Sequence, residues 1–292
     1  MLSLNQVRTF LEVARTGSVR EAAERLVVSQ PAVSSALAGL QREIGAAIVE
    51  RSGRGVRLTA AGETLARYGA RIFALMDEAL AEARSSAVPD AGSVRLSAVT
   101  TAAEQLLPEL LGGFRQAAPL VNVDLDVANK DHVWERLERW ECDLVLAGRP
   151  PHGARLHTRA IRPNGVVIVA QPGRTYALAD LASATWLLRE VGSGTRDTTE
   201  FVLAELGITP PVLTIGSNGA IRECVRVGMG ISLLSRDAVA REIADETLAE
   251  VPSPVTPLAR DWHLVASDER PLPAGAQRFL EYVIASGAFQ TA

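Results

Sequence analysis

The apolar positions of LNQVRTFLEVA fall at residues 4, 7, 10, 11 and 14, the spacing of a helix with one buried face. Gly17 ends that helix. Ser18 followed three residues later by Glu21 has the form of a capping box, and Val19, Ala22, Ala23 and Leu26 repeat the helical spacing. After Val27-Val28, Ser29 is placed to cap a third helix that tolerates Pro31 in its first turn. Val33, Ala36, Leu37, Leu40 and Ile44 form its buried stripe. The pattern predicts a tri-helical unit, and then it switches. Residues 50–58, ERSGRGVRL, contain two glycines and end on alternating Val-Arg-Leu, which predicts a β-hairpin or wing. Thr59 is placed to cap a long helix reaching about residue 84, with Leu65, Ile72 and Ala79 seven apart and Tyr68 and Leu75 likewise. A heptad seam on one helix wants a partner helix, here a second copy, or else a place on its own body.

SSAVPDAG at 85–92 is a short linker, after which a different rhythm begins. The segments SVRLSAV (93–99), VNVDLDV (121–127), DLVLAG (143–148), VVIVA (166–170), TWLLRE (185–190), LTIGS (213–217), ISLLS (231–235) and HLVAS (263–267) read as strands. AAEQLLPELLGGF, HVWERLERW, TTEFVLAELG, GAIRECVRVG and AGAQRFLEYVIAS read as helices between or after them. Strand–helix alternation on this scale argues for open α/β sheets, two rather than one.

A chain of 292 residues suits two or three units, and 47% apolar with 22% charged residues is ordinary globular composition. Cys142 and Cys224 are the only cysteines, too far apart for a metal ligand pair or a disulfide framework, so the expected compartment is the cytosol. There is no basic leader before an apolar run and no stretch of the roughly 18 apolar residues a membrane span needs. The net charge is −4, but its distribution matters more. Residues 1–57 hold eight arginines against five glutamates, +3, which leaves −7 for the remainder. A basic module precedes an acidic body. All basic residues are arginine except Lys130.

Two capped helices joined by a tight turn within about 25 residues match the helix-turn-helix arrangement, in which the second helix lays its N-terminal residues against base edges in the major groove. Ser29, Gln30, Pro31, Ser34 and Ser35 occupy that position. Glutamine pairs bidentately with adenine, serine hydroxyls serve bases or phosphates, and small side chains let the helix sit deep. Arg51, Arg54 and Arg57 in the wing have the charge to hold phosphates or probe the minor groove. Spacing alone also fits a helical hairpin that touches no nucleic acid.

The residues narrow this further. The stretch from FLEVARTGSVREAAERLVVSQPAVSSAL to ERSGRGVRLTAAGE contains A-A-x-x-L, S-Q-P-A-V-S, E-x-x-x-G, E-R and G-V-x-L-T-x-A-G. It strongly resembles the N-terminal domain of LysR-type transcriptional regulators. One departure is Ala47-Ile48-Val49, where the family usually has Leu-Phe, a difference of packing under the wing. The resemblance extends over the whole chain and implies an α/β protein with an N-terminal all-α winged helix-turn-helix domain (1–58) and a linker/dimerisation helix (59–87). A two-lobed effector domain of the periplasmic-binding-protein type (type 2) would occupy 88–292. It also implies a bacterial homotetramer that presents four DNA-binding domains to promoter DNA. The expected lobes are 92–163 with 268–292, and 164–267, crossing near Pro163–Gly165 and Ser267–Glu269.

Ligands of such sheets bind beyond the carboxyl ends of strands, where helix N-termini point. That rule selects Thr100 and Thr101, Asn129, Gly148 and Arg149, the run Ser193-Gly194-Thr195-Arg196, and Ser217-Asn218. Hydroxyls, exposed backbone N–H groups and an arginine at a helix start make an anion site, so the expected effector is a small anionic metabolite. Each polar residue has the simpler alternative of capping its helix. Arg189 to Arg196, REVGSGTR, is similar to R-E-x-G-S-G-T-R of the LysR subgroup regulating carbon fixation and sulfur assimilation. Catalysis is not expected. A hydrolase using Ser193 would want glycine at Val191, the four histidines lack metal-ligand spacing, and there is no phosphate loop. A solute receptor is the other alternative, opposed by the basic module and the lack of a leader. No cofactor or metal is expected.

Overall fold

The computed structural model describes residues 2–53, 55–85 and 91–292, and they form two compact units. The N-terminal unit comprises α1 (Leu4–Thr16), α2 (Val19–Leu26), α3 (Gln30–Ile44), the wing strands β1 (Val49–Ser52) and β2 (Gly55–Leu58), and α4 (Ala60–Ser85). Phe10 and Val13 of α1, Ala22 and Ala23 of α2, and Val33, Leu37 and Leu40 of α3 close on one core. Ile48 fills the place under the wing and is fully buried, worth about 1.5–3 kcal/mol of transfer free energy. The reciprocal capping box is not at Ser18–Glu21. Ser18 Oγ accepts the Glu21 amide at 3.3 Å, but its own amide donates to Thr16 Oγ1, so Glu21 has no amide left to reach back to. The two-way box is Ser3 with Gln6.

Val27 closes the α2–α3 turn with φ 56°, a left-handed conformation that a β-branched residue adopts at a cost, and its side chain is 89% exposed. Val27→Asn, which keeps the turn and loses no packing, is therefore expected to stabilise this unit by about 1 kcal/mol. Chemical denaturation followed by circular dichroism reads the shift; an unchanged midpoint would show the turn to be unstrained.

Thr59 Oγ1 accepts the Gly62 amide at 3.1 Å and starts α4. Along that helix Leu65 packs into the N-terminal core, whereas Tyr68, Ile72, Leu75, Met76 and Leu80 are 40–54% exposed. The heptad positions thus form an apolar face on α4. Residues 86–90 of the linker lie outside the described residues.

The larger unit opens with β3 (Gly92–Val99), α5 (Thr100–Gln105), α6 (Leu107–Ala117), β4 (Val121–Ala128), α7 (Lys130–Glu138), β5 (Leu144–Ala147) and β6 (Leu156–Arg162). It continues through β7 (Gly165–Ala170), α8 (Leu178–Ser183), β8 (Trp186–Leu188), α9 (Gly194–Glu205), β9 (Val212–Thr214), α10 (Asn218–Arg226), β10 (Ser232–Ser235), α11 (Arg236–Ala244), β11 (Ala249–Val251) and β12 (Leu258–Ala259). It closes with β13 (Trp262–Ser267), α12 (Ala274–Ala285) and β14 (Gln290–Thr291). One lobe is the six-stranded sheet β14-β6-β13-β5-β3-β4, in which β3 is parallel to β4 and β5 while β13 runs antiparallel to β5 and β6. The other lobe is built on β7, antiparallel to β10, β11 and β12, with the parallel pair β8-β9 beside it.

This topology corrects one boundary. The return between lobes is not at Ser267–Glu269: β13 is paired along its length with β5 and β6, so Trp262–Ser267 belongs to the first lobe, and the chain returns at Arg260–Asp261. The two crossing segments are bonded to each other. The Arg260 amide donates to the Asn164 carbonyl at 2.8 Å, and Asn164 Nδ2 donates to the Arg260 carbonyl at 3.0 Å. The Ser235 hydroxyl donates to Asn164 Oδ1 at 2.8 Å. Asn164, buried, fastens both crossings to the second lobe.

Candidate functional site

In the N-terminal unit, Ser29 caps α3 by accepting the Ala32 amide at 3.3 Å. The first turns of α3 then expose Gln30, Pro31, Ser34 and Ser35 together, while Val33 and Leu37 point into the core. A helix N-terminus lined by one amide and two hydroxyls offers donors and acceptors without the bulk that would keep it out of a groove. In the wing Arg51 is exposed, and Arg57 pairs with Glu50 at 2.9 Å within the hairpin. Arg54 lies outside the described residues.

In the larger unit a cleft of about 450 Å³ opens between the lobes. Val99, Thr100 and Thr101 line it from the end of β3, Ala128, Asn129 and Lys130 from the end of β4, and Gly148 and Arg149 from the end of β5. The second lobe contributes Arg189, Ser193, Gly194, Thr195, Asp197 and Thr198, and the returning segment contributes Ala259 to His263. The amides of Gly194 and Thr195 open the 12-residue helix α9, which therefore directs its positive end at the cleft. Ser193 is buried there and makes no capping bond to the helix.

The charges divide into committed and uncommitted ones. Arg189, buried, forks onto Glu190 at 2.7 and 2.8 Å and holds that carboxyl below its ordinary range. Lys130 pairs with Asp197. Arg149 and Arg260 make no side-chain hydrogen bond or ion pair among the described residues. Burial pulls the Arg260 guanidinium below its usual value, opposed by the Asp197 carboxylate, yet an arginine stays charged throughout the accessible range. A desolvated, unpartnered guanidinium is unfavourable on its own and becomes favourable against an anion. His263 is lowered too, by burial, with Asp261 opposing and Arg149 adding to the fall, so it is neutral near pH 7.

Two glycines make this arrangement possible. A Cβ on Gly194 would stand 2.6 Å from an Arg260 Nη atom, so only glycine lets that guanidinium lie against the start of α9. Gly192 has φ 86°, and a Cβ there would meet Asn129 and Asp131 of the first lobe at 3.3 Å.

Residues 4–63 match the family model for the bacterial regulatory helix-turn-helix protein, lysR family, and residues 88–288 match the LysR substrate binding domain. The chain belongs to the LysR family of bacterial transcriptional regulators. It is 34% identical over 294 residues to the RuBisCO operon transcriptional regulator of Allochromatium vinosum, covering 98% of this chain and 97% of that one. It is 32% identical over 290 residues to the HTH-type transcriptional activator CmpR of Synechocystis, covering 97% and 95%. The solved regulatory domain of CcmR from Synechocystis PCC6803, in complex with 2-PG, is similar at TM-score 0.61 and 30% identity, over 66% of this chain and 96% of that one. This LysR protein is accordingly a transcriptional regulator and not an enzyme, and carbon-fixation regulators are among its relatives.

For the LysR effector domain, the structure gathers Thr100, Thr101, Asn129, Gly148, Arg149, Ser193, Gly194 and Thr195 in one cleft. It leaves out three residues expected there. Arg196 turns along α9 to Glu200 and to the Arg189 carbonyl, Ser217 caps α10 by accepting the Ala220 amide, and Asn218 is buried against Thr101. Sequence reasoning missed Lys130, Arg189, Asp197, Arg260, Asp261 and His263. Among the described residues no helix is long and apolar enough to cross a membrane.

Proposed function

We propose that this LysR regulator binds promoter DNA through Gln30, Pro31, Ser34 and Ser35, with Arg51, Arg54 and Arg57 on phosphates. A compact metabolite carrying two anionic groups is its effector, seated in the cleft by Thr100, Thr195, Ser193, Asn129, Arg149 and Arg260. The observation that carries this reading is the pair of uncommitted guanidiniums lining the cleft at which α9 directs its amino end: two positive charges and a helix field ask for more than one negative charge. The 2-PG bound by the CcmR regulatory domain makes 2-phosphoglycolate the first compound to try.

The exposed apolar face of α4 supports a homodimer through that helix. Further apolar exposure at Val127 on the edge strand β4, and at Phe201, Val212 and Leu213 on α9 and β9, supports assembly of dimers into a tetramer. Effector binding then shifts the lobes about Asn164 and the Arg260 crossing, changes the spacing of the DNA-binding pairs, and alters the DNA bend. Footprinting and bend measurement on a selected promoter fragment, with and without 2-phosphoglycolate and related phosphorylated acids, test this. The coupling must be reciprocal, so DNA should change effector affinity by the factor the effector changes DNA affinity. Unchanged footprint and bend across the panel would refute it.

The DNA face yields its own prediction. Gln30→Ala is expected to weaken specific binding by about 1–3 kcal/mol and to relax one base position. Arg51→Ala should weaken all sequences alike and reduce the salt slope by about one. Equal loss on specific and random DNA for the glutamine change would remove it from base readout.

A further inference from the structure

An anion cleft has least use for carboxylates, yet Asp197 and Asp261 both line it, and Asp197 is the one paired with a cation of the opposite lobe. Asp197 lies in the first turn of α9 and lines the cleft. It pairs across the cleft with Lys130, the first residue of α7 on the other lobe, and its charge also bears on Arg260. A single carboxylate thus faces two of the four cationic side chains that line the cleft, at the end of a helix whose field favours negative charge. A first-turn aspartate needed only for its helix would be served as well in open solvent; this one is held by a residue of the opposite lobe, in the space where a ligand anion belongs.

We infer that Asp197 is a built-in surrogate anion that sets which effectors the cleft accepts. Resting on the anion reading of the cleft, the argument adds a selection rule. A ligand with one anionic group satisfies Arg149 and Arg260 but leaves Lys130 with Asp197, and it feels the repulsion of that carboxylate. A ligand with a second anionic group takes Lys130 from Asp197 and recovers the cost. Inorganic phosphate is thereby rejected in favour of a phosphorylated acid. The competing role, a clasp that only shuts the lobes over the ligand, predicts the opposite sign, because loss of a clasp weakens binding.

Calorimetric titration of the full-length protein with inorganic phosphate and with 2-phosphoglycolate separates the two. Asp197→Asn is expected to bind phosphate about tenfold more tightly than the native chain and so to narrow its preference for 2-phosphoglycolate. Lys130→Gln, which frees the carboxylate, should weaken both ligands, and Lys130→Gln with Asp197→Asn should recover affinity beyond the Lys130→Gln variant alone. Binding is gained in these comparisons, which a misfolded variant does not produce. If the native chain binds 2-phosphoglycolate and neither Asp197→Asn nor the double variant gains affinity, the surrogate role is wrong and the anion cleft stands. If the native chain and both variants show no saturable binding of either anion, the anion reading fails, and this inference fails with it.

Discussion

Arg260→Met is expected to weaken binding of a phosphorylated effector about a hundredfold while leaving the fold as stable as before, or more so by about 1 kcal/mol. The two effects have opposite signs for one reason. The guanidinium is desolvated between Gly148 and Gly194, it makes no hydrogen bond or ion pair among the described residues, and burial already depresses its pKa. Its desolvation is a standing cost to the native state, and methionine of similar length removes the charge without opening a void. Against a ligand anion, the same desolvation makes each charge-assisted bond strong, worth roughly 3 kcal/mol in all. Titration with 2-phosphoglycolate alongside thermal denaturation gives both numbers. A variant that binds normally would move the anion away from Arg260; a variant that unfolds would make the residue structural.

Most of the architecture was legible because each element carries a periodicity set by what it buries. The tri-helical unit, the wing and α4 read directly from apolar spacing, and β3, β4, β5 and β13 of the first lobe from short apolar runs, whereas β6 and β14 of the same sheet go unread. What periodicity lacks is partnership. HLVAS announces a strand, but nothing in its side chains says which sheet takes it, and the expected return between lobes therefore falls seven residues late. That offset hid Arg260, Asp261 and His263. The rule that ligands sit at carboxyl ends of strands finds Thr100, Asn129 and Arg149 on parallel strands. β13 runs antiparallel to β5, so it is the start of β13 that reaches the cleft, carrying Arg260, Asp261 and His263 with it. A signal was present: ARDWH sets Arg260 and Asp261 between two strands with no turn glycine. Arg196 fails in the opposite sense, since a helix start exposes neighbouring residues on different faces and Glu200 four residues on claims it.

Asp143→Ala is expected to destabilise the effector domain by about 3–5 kcal/mol without changing effector affinity in the molecules that remain folded. Asp143, 3% exposed, precedes β5 and faces Arg95 of β3 and Arg270 beyond β13. Its oxygens accept the Arg95 amide at 2.8 Å and the Arg95 and Arg270 guanidiniums at 2.7 Å each, so one carboxylate joins three chain segments. Removing it takes from two guanidiniums, one of them almost fully buried, the carboxylate that joins them. Arg270→Ala should cost less, because Arg95 still answers the carboxylate. The separation from function follows from topology. Asp143 stands before the amino end of β5, whereas Gly148 and Arg149 follow its carboxyl end and line the cleft. Urea denaturation paired with titration of the folded fraction reads both quantities. A loss of affinity as large as the loss of stability would tie this clamp to the cleft and contradict the division of the sheet into a fastening end and a binding end.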